Sequence, residues 1–260
     1  DNGGSSGRLR QSQGCIAWGD LRNCINQLVT EPSTGSRLFE YRFSGDGELA
    51  GHNLGNLMLL ALDNMTIRPL AAIELIRHML GVKAQILPMS EQPTDLLGLS
   101  PCGTAIFGET SIDAWPALPN KLWLEPAVTA TPEAVEALLA ADLILLGPGS
   151  FLTSLLPPLL VPELANAIRI SEARFVFLAN LQPELGPVGQ LSLADQLAWI
   201  ARLTGRTIDS VIAPTDAPEL STPCYRSELA EQGCYWRHDR DKLLQALEHL
   251  MAQPEHVTCQ

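Results

Sequence analysis

The sequence predicts an α/β protein with a mostly parallel sheet, helices on both faces and a small β-rich insertion. The second half of the chain alternates aliphatic runs with amphipathic segments, the pattern of a parallel sheet joined by helical crossovers. The run 141–146 ends in the turn Gly147-Pro148-Gly149-Ser150, and its unbroken aliphatic character predicts a strand buried on both faces. Short β-like pieces between residues 82 and 125 predict the insertion within a single domain over residues 1–260.

Helices are predicted for the first third of the chain. Asp20 is expected to cap a first amphipathic helix, which Pro32 ends. Asn53 is expected to cap a second helix. A third helix is expected to begin at Pro69, a favoured first helical position, and to end at Gly81.

Short strands and further helices are predicted after residue 81. Thr131, Pro132 and Glu133 stand in the preferred order of helix cap, first residue and first-turn acid. The predicted strands cover residues 85–87, 105–107, 122–124, 142–146, 174–179, 208–212 and 234–236. The other predicted helices start at about Ser154 with a break near Pro162, cover 192–204 with Gly205 at the end, and follow Asp239.

Composition predicts a soluble globular protein that binds neither nucleic acid nor a membrane. The net charge of −12 argues against a nucleic-acid partner, which requires clustered Lys and Arg. The apolar stretch 143–161 is interrupted by glycines and prolines that break a membrane-spanning helix. Six cysteines without a C-x-x-C pair favour reduced cytosolic thiols over a disulfide framework or a zinc site.

Three glycine-rich loops are the candidate ligand-binding segments. In open α/β sheets, ligands bind outside the carboxyl ends of the strands, where glycines let backbone N–H groups approach phosphate oxygens. The alternative is that all three loops are ordinary turns. The candidate ligand-binding residues of these loops are Asp1, Asn2, Gly3, Gly4, Ser5, Ser6, His52, Asn53, Asn56, Gly147, Pro148, Gly149, Ser150 and Ser154.

Further polar residues are expected near the Gly147 loop. Asn180 ends a predicted strand, where its amide offers both a donor and an acceptor to a ligand. Arg237 and His238 follow the β-like run 234–236 and are candidates to pair a phosphate or a sugar. The alternative is that Asp239 is a helix cap and Arg237 a surface charge.

A catalytic group is not assigned from the sequence. The chain contains no G-x-S-x-G, H-E-x-x-H or G-x-x-x-x-G-K-[ST] motif, which argues against hydrolase triads, zincins and P-loop kinases. Asp1 and Asp20 are candidates to hold Mg²⁺ beside a phosphate, with Asp20 as a helix cap as the alternative.

Four segments together resemble the gluconeogenesis factor family, the YvcK/YbhK-like proteins of the 2-phospho-L-lactate transferase (CofD-like) superfamily. They are 1–10, 19–23, 51–56 and 147–150 with Thr153 and Ser154. Family members carry an upstream strand, a Gly-Gly-Gly loop and a helix that this sequence lacks. The sequence is therefore interpreted as N-terminally truncated.

The resemblance implies a Rossmann-like fold, a cytoplasmic location and a role in cell shape and in growth on gluconeogenic carbon sources. It also implies binding of UDP-N-acetylglucosamine without an established reaction. The alternative that it implies is a Mg-dependent phosphotransferase resembling 2-phospho-L-lactate transferase, in which aspartates of the first loop correspond to Asp1 and Asp20. A homodimer is the default expectation, because two-fold dimers are the commonest assemblies.

Overall fold

The computed structural model describes residues 14–65 and 68–252. The candidate residues Asp1 to Ser6 lie outside the described residues. The chain divides into two compact units. The first unit comprises Asp1–Ile112, Pro119–Glu136 and Val161–Leu164, and the second comprises Asp113–Leu118, Ala137–Leu160 and Ala165–Gln260.

The first unit is built on four helices, α1 (Trp18–Gln27), α2 (Thr34–Glu40), α3 (Leu54–Met65) and α4 (Pro69–Met79). Their apolar faces form one core, which includes the fully buried residues Ile25, Phe39, Leu59 and Ile73. Gly55 lets α3 approach α2, because a Cβ there would lie 2.4 Å from the Phe39 carbonyl oxygen.

The predicted caps hold for α3 and α4 and fail for α1. Asn53 accepts hydrogen bonds from the first turn of α3, while α4 starts at Pro69 and is followed by Gly81 at φ +69°. Helix α1 starts two residues before Asp20, because Trp18 is already part of the core, and it ends at Gln27, well before Pro32. Asp20 therefore lies in the first turn, where its charge suits the helix dipole.

A three-stranded antiparallel sheet is the β-rich part of the first unit. Its order is β2 (Ala105–Phe107), β1 (Asp95–Leu99) and β3 (Lys121–Glu125), and Leu97 pairs with both Phe107 and Trp123. The predicted strand 85–87 is wrong, because Pro88 cannot extend a ladder and Ile86 packs into the helical core instead. The central strand β1 was not expected, since Gly98 interrupts its apolar run.

The second unit contains the predicted parallel sheet. Its strands β4 (Leu143–Leu146), β5 (Arg174–Leu178), β6 (Ser210–Ala213) and β7 (Cys224–Arg226) lie in sequence order and pair in parallel. Buried residues of helix α10 (Arg240–Ala252), Ala246 and Leu250, pack on β5 and β6. The prediction that β4 is buried on both faces is wrong. It is first in the sheet order of the described strands, and Leu145 is 37% exposed.

The remaining predicted helices correspond to α6 (Pro132–Leu139), a π-helical segment (Phe151–Leu155) followed by α7 (Leu156–Leu159), α8 (Pro162–Ile170) and α9 (Leu193–Thr204). The short helix α5 (Glu109–Asp113) and a 3₁₀ turn (Gly186–Gln190) were not predicted. Thr131 precedes α6 as predicted, although its buried hydroxyl makes no capping bond within the described part of the chain. Ser192 caps α9 through Asp195, and Gly205 follows it at φ +67°.

Within residues 14–65 and 68–252, no single helix is long and apolar enough to cross a bilayer. The segments Phe151–Leu159 and Pro162–Ile170 reach that length and composition only as a pair, which bends by 77° at the break between them.

Candidate ligand-binding site

A cavity lies at the carboxyl ends of β4 and β5, where ligands bind in open α/β sheets. Its volume is about 320 Å³. The cavity is surrounded by the Gly147 loop that follows β4, the segment that follows β5 and a two-stranded hairpin. The hairpin consists of β8 (Ala230–Glu231) and β9 (Cys234–His238). The lining residues are Pro148, Gly149, Ser150, Asn180, Leu181, Gln182, Pro183, Glu184, Trp236 and His238.

Gly147 allows the loop to turn sharply at the end of β4. Its φ is +97°, and a Cβ at this position would lie 2.6 Å from the Leu178 carbonyl oxygen. A side chain there would therefore clash with the backbone of β5. Gly149 differs, because its Cβ would meet Leu155 at 3.2 Å and Ser154 at 3.5 Å. A substitution at Gly149 would thus press first on the following helix.

Asn180 ties the Gly147 loop to the end of β5. Its Nδ2 donates to the Gly149 carbonyl at 2.9 Å, and its Oδ1 accepts from the Gly149 N–H at 3.2 Å. The same Nδ2 donates to Glu184 at 2.9 Å. Asn180 thus lies beside the loop, as its place after β5 predicts, and a ligand phosphate can reach the Gly149 amide only by displacing its side chain.

Glu184 occupies the N-terminal end of the helical segment that follows the loop. The Phe151 N–H donates to both of its carboxylate oxygens at 3.1 Å. Helix N-termini attract anions, because their first N–H groups have no partner within the helix. The carboxylate of Glu184 therefore takes the kind of position in which a ligand phosphate is expected.

A second carboxylate lies near Glu184. Thr153 donates its hydroxyl to both carboxylate oxygens of Asp113 at 3.1 Å. Burial raises the pKa of Asp113, and the Thr153 bond partly offsets this. Burial also raises the pKa of Glu184. The bonds from Phe151 and Asn180 oppose that shift, and the charge of Asp113 adds to it. The carboxyl groups of Asp113 and Glu184 are therefore protonated more readily than carboxyl groups in water.

His238 lies at the hairpin side of the cavity with its ring orientation fixed. Burial lowers its pKa, and a hydrogen bond to the Ala179 carbonyl partly offsets the effect. Its Nε2 is buried and finds no partner among the described residues, so the bond to Ala179 comes from Nδ1. The neutral ring therefore keeps an unpaired acceptor at Nε2.

Arg237 lies on the hairpin but does not line the cavity. Its Nε pairs with Glu231 at 2.7 Å, and its guanidinium lies over the Trp236 ring, 5.5 Å from the centroid. Arg237 is absent from the residues that line the cavity, although its neighbours Trp236 and His238 are among them. The predicted role of Arg237 in binding remains a prediction, and its contacts in this structure are within the hairpin.

Other candidates from the sequence lie elsewhere. Ser154 is exposed on the helical segment after the loop. Asn53 is 2% exposed, and its side chain is engaged by Glu40 and by the first turn of α3. His52 and Asn56 flank it in the first unit, where Asn56 is buried. Asp1 lies outside the described residues, so the Mg²⁺ site formed by Asp1 and Asp20 remains a prediction.

In the part of the chain that the structure describes, no group of three or more His, Cys, Asp or Glu side chains is arranged to hold a metal ion.

Sequence reasoning missed five of the ten residues that line the cavity, namely Leu181, Gln182, Pro183, Glu184 and Trp236. Glu184 follows β5 by six residues, and its bond to Phe151 depends on how two separate loops fold together. Trp236 precedes the Arg237-His238 pair, and its type alone could have drawn attention, because an aromatic ring beside a polar loop is suited to ligand contact.

A second cavity, of about 240 Å³, borders the segment Asn180 to Glu184 on the side of β6. Its other lining residues include Gln196 of α9 and Asp216 of the loop after β6. Two cavities thus adjoin one polar segment at the carboxyl edge of the parallel sheet.

Comparison with known proteins identifies relatives along almost the whole chain. Residues 1–254 match the family described as 2-phospho-L-lactate transferase CofD. A protein of Vibrio cholerae named "Putative gluconeogenesis factor" is 56% identical over 95% of this chain and 85% of its own length. A protein of Pasteurella multocida with the same name is 52% identical over 97% of this chain and 84% of its own length.

A solved structure supports the same relationship. The crystal structure of a UPF0052 family member from Bacillus halodurans superposes with a TM-score of 0.88 at 29% identity, covering 95% of this chain and 88% of the other. The parallel sheet with its flanking helices and small antiparallel sheets is the fold of that protein. On this evidence the chain belongs to the CofD family, among the relatives that are named gluconeogenesis factors.

Proposed function

We propose that this protein is a cytoplasmic gluconeogenesis factor that binds a nucleotide-sugar, of which UDP-N-acetylglucosamine is the model ligand, and acts as a regulatory protein. The observation that carries the proposal is the cavity at the Gly147 loop, which is lined by the loop residues Gly149 and Ser150, the amide side chain of Asn180 and the aromatic ring of Trp236. Such sites bind ligands with phosphate, hydroxyl and ring groups. The names of the relatives support a role in gluconeogenic growth, and we extend it to cell shape.

The two adjoining cavities suit a ligand of two parts. The larger cavity offers Trp236 and the loop backbone, and the smaller one offers the polar side chains of Gln196 and Asp216. A nucleoside diphosphate in the first and a sugar in the second would both contact the segment after β5. The amide of Gln182 lines both cavities and is placed to bind either part.

The chemistry of the lining residues favours binding over catalysis. None of the ten residues around the larger cavity is a Lys, an Arg or a Cys. The His238 ring is held by Ala179, and the Glu184 carboxylate is engaged by Phe151 and Asn180. A nucleophile activated by an adjacent base, as covalent catalysis requires, is not assembled by these lining side chains.

Calorimetric titration of the full-length protein with UDP-N-acetylglucosamine, UDP and GDP tests this function. We expect heat and saturation with at least the first two, because both contain the uridine diphosphate part of the proposed ligand. Absence of binding to all three, on protein shown to be folded by its thermal transition, would contradict the proposal.

The family match also supports the alternative function, a Mg-dependent phosphotransferase acting on a nucleotide-activated acid. This reaction would place Mg²⁺ on Asp1 and Asp20, with Asp20 exposed in the first turn of α1. Incubation with Mg²⁺, nucleoside diphosphate donors and acceptor alcohols would then give a product that Asp20→Asn abolishes. A product equal in amount from the wild type and Asp20→Asn would exclude this role of Asp20.

A further inference from the structure

The hairpin β8–β9 presents a large aromatic ring to the larger cavity. Trp236 lines the cavity together with Gly149 and Ser150, yet it is 72% exposed. Trp is usually well buried in folded proteins, because its side chain has a large apolar area. The exposed ring beside the loop is therefore accessible to a ligand that enters the cavity.

The indole is held in place by its neighbours on the hairpin. The Arg237 guanidinium lies over the ring at 5.5 Å, and Glu231 fixes that guanidinium through a 2.7 Å ion pair. A cation over an aromatic face is attracted by the negative charge density of the ring. Trp236 is thus a preorganised surface, which reduces the entropy lost when a ligand stacks on it.

The hairpin itself does not depend on Trp236 for its attachment. Leu229, just before β8, is 1% exposed and packs in the core of the second unit. The Asp239 N–H donates to the Leu229 carbonyl at 2.8 Å, and Lys242 donates to the Ala230 carbonyl at 2.9 Å. The fold therefore tolerates replacement of the exposed indole.

We propose that Trp236 is the stacking surface for the nucleobase of a nucleoside diphosphate whose phosphates lie at the Gly147 loop. This inference rests on the proposed function and adds the residue that recognises the ring. An aromatic side chain next to a phosphate-type loop matches the two chemically distinct parts of a nucleotide. Stacking on an indole accepts any base, so specificity for one base must come from other contacts.

The test compares UDP affinity, measured by calorimetry, in four proteins. Trp236→Ala is expected to bind UDP at least tenfold more weakly than the wild type, and Trp236→Phe is expected to lie in between. Tyr235→Ala is the matched control, because Tyr235 is 74% exposed on the same strand and does not line the cavity. We expect it to bind like the wild type.

Intrinsic fluorescence adds a measurement that a merely structural role would not change. UDP should quench part of the wild-type tryptophan emission, and this part should be lost in Trp236→Phe at saturating UDP. Wild-type affinity in Trp236→Ala, or an equal loss in Tyr235→Ala, would overturn the stacking alone. A wild type that binds no nucleotide would overturn the proposed function and the stacking with it.

Discussion

Glu184 lies where an anion is expected, at the start of the helical segment after the Gly147 loop. Its carboxylate accepts from the Phe151 N–H and from the Asn180 amide, which in turn holds Gly149. Partial burial raises its pKa, and the nearby charge of Asp113 raises it further. Protonation of Glu184 would remove a negative charge from the position where a phosphate is expected to bind.

The raised pKa of Glu184 makes its contribution to stability depend on pH. A carboxyl group whose pKa is higher in the folded state stabilises the fold below its unfolded pKa of about 4.3, and this contribution is lost as the pH rises through the folded value. Glu184→Gln removes this dependence. The free energy of unfolding of the wild type relative to Glu184→Gln should therefore fall as the pH rises above about 4.3.

Urea denaturation at several pH values measures this difference. Glu219→Gln is the matched control, because Glu219 is an exposed carboxylate in the loop after β6. The difference in free energy of unfolding between the wild type and Glu219→Gln should stay nearly constant over the same pH range. A difference between the wild type and Glu184→Gln that stays constant, or that grows with pH, would contradict the assignment.

At the scale of elements, the N-terminus of α3 depends on one buried side chain. Asn53 Oδ1 accepts from the Gly55 N–H at 2.8 Å and the Asn56 N–H at 3.3 Å, while Nδ2 donates to the Glu40 carbonyl at 3.0 Å. Asn53→Ala should lower the free energy of unfolding by about 1–2 kcal/mol, because capping bonds and a buried donor are lost together.

Chemical denaturation of Asn53→Ala and Asn64→Ala checks this prediction. Asn64 is exposed near the other end of α3, so its replacement controls for the change of residue type. Asn64→Ala should be within about 0.5 kcal/mol of the wild type. Equal effects of the two substitutions would show that Asn53 does not act as the cap.

The elements predicted best from the sequence are those with local end signals. Asn53, Pro69 and Gly205 mark helix ends through contacts within one turn, which a short stretch of sequence specifies. Strand pairing is not local. The central strand β1 was missed because its pairing with residues 105–107 and 121–125 compensates for Gly98, and the sequence alone does not show that pairing.

At the scale of the whole molecule, the sequence predicted the parallel sheet and one edge of the site. The carboxyl ends of adjacent parallel strands meet, so Asn180 and the Gly147 loop were expected together, and they are hydrogen bonded. Glu184 and Trp236 reach the same cavity through the folding of separate segments. The two residues are far apart in the sequence, at positions 184 and 236, and nothing in the sequence indicates that they line the same cavity.

The central claim is that a nucleotide-sugar binds at the Gly147 loop, and hydrogen–deuterium exchange tests it most directly. Exchange is compared in the full-length wild type with and without saturating UDP-N-acetylglucosamine. We predict slower exchange in peptides covering 147–156 and 180–190, and no change in a peptide covering 200–209, at the far end of α9. Protection confined to other parts of the chain, with binding demonstrated by calorimetry, would contradict the account.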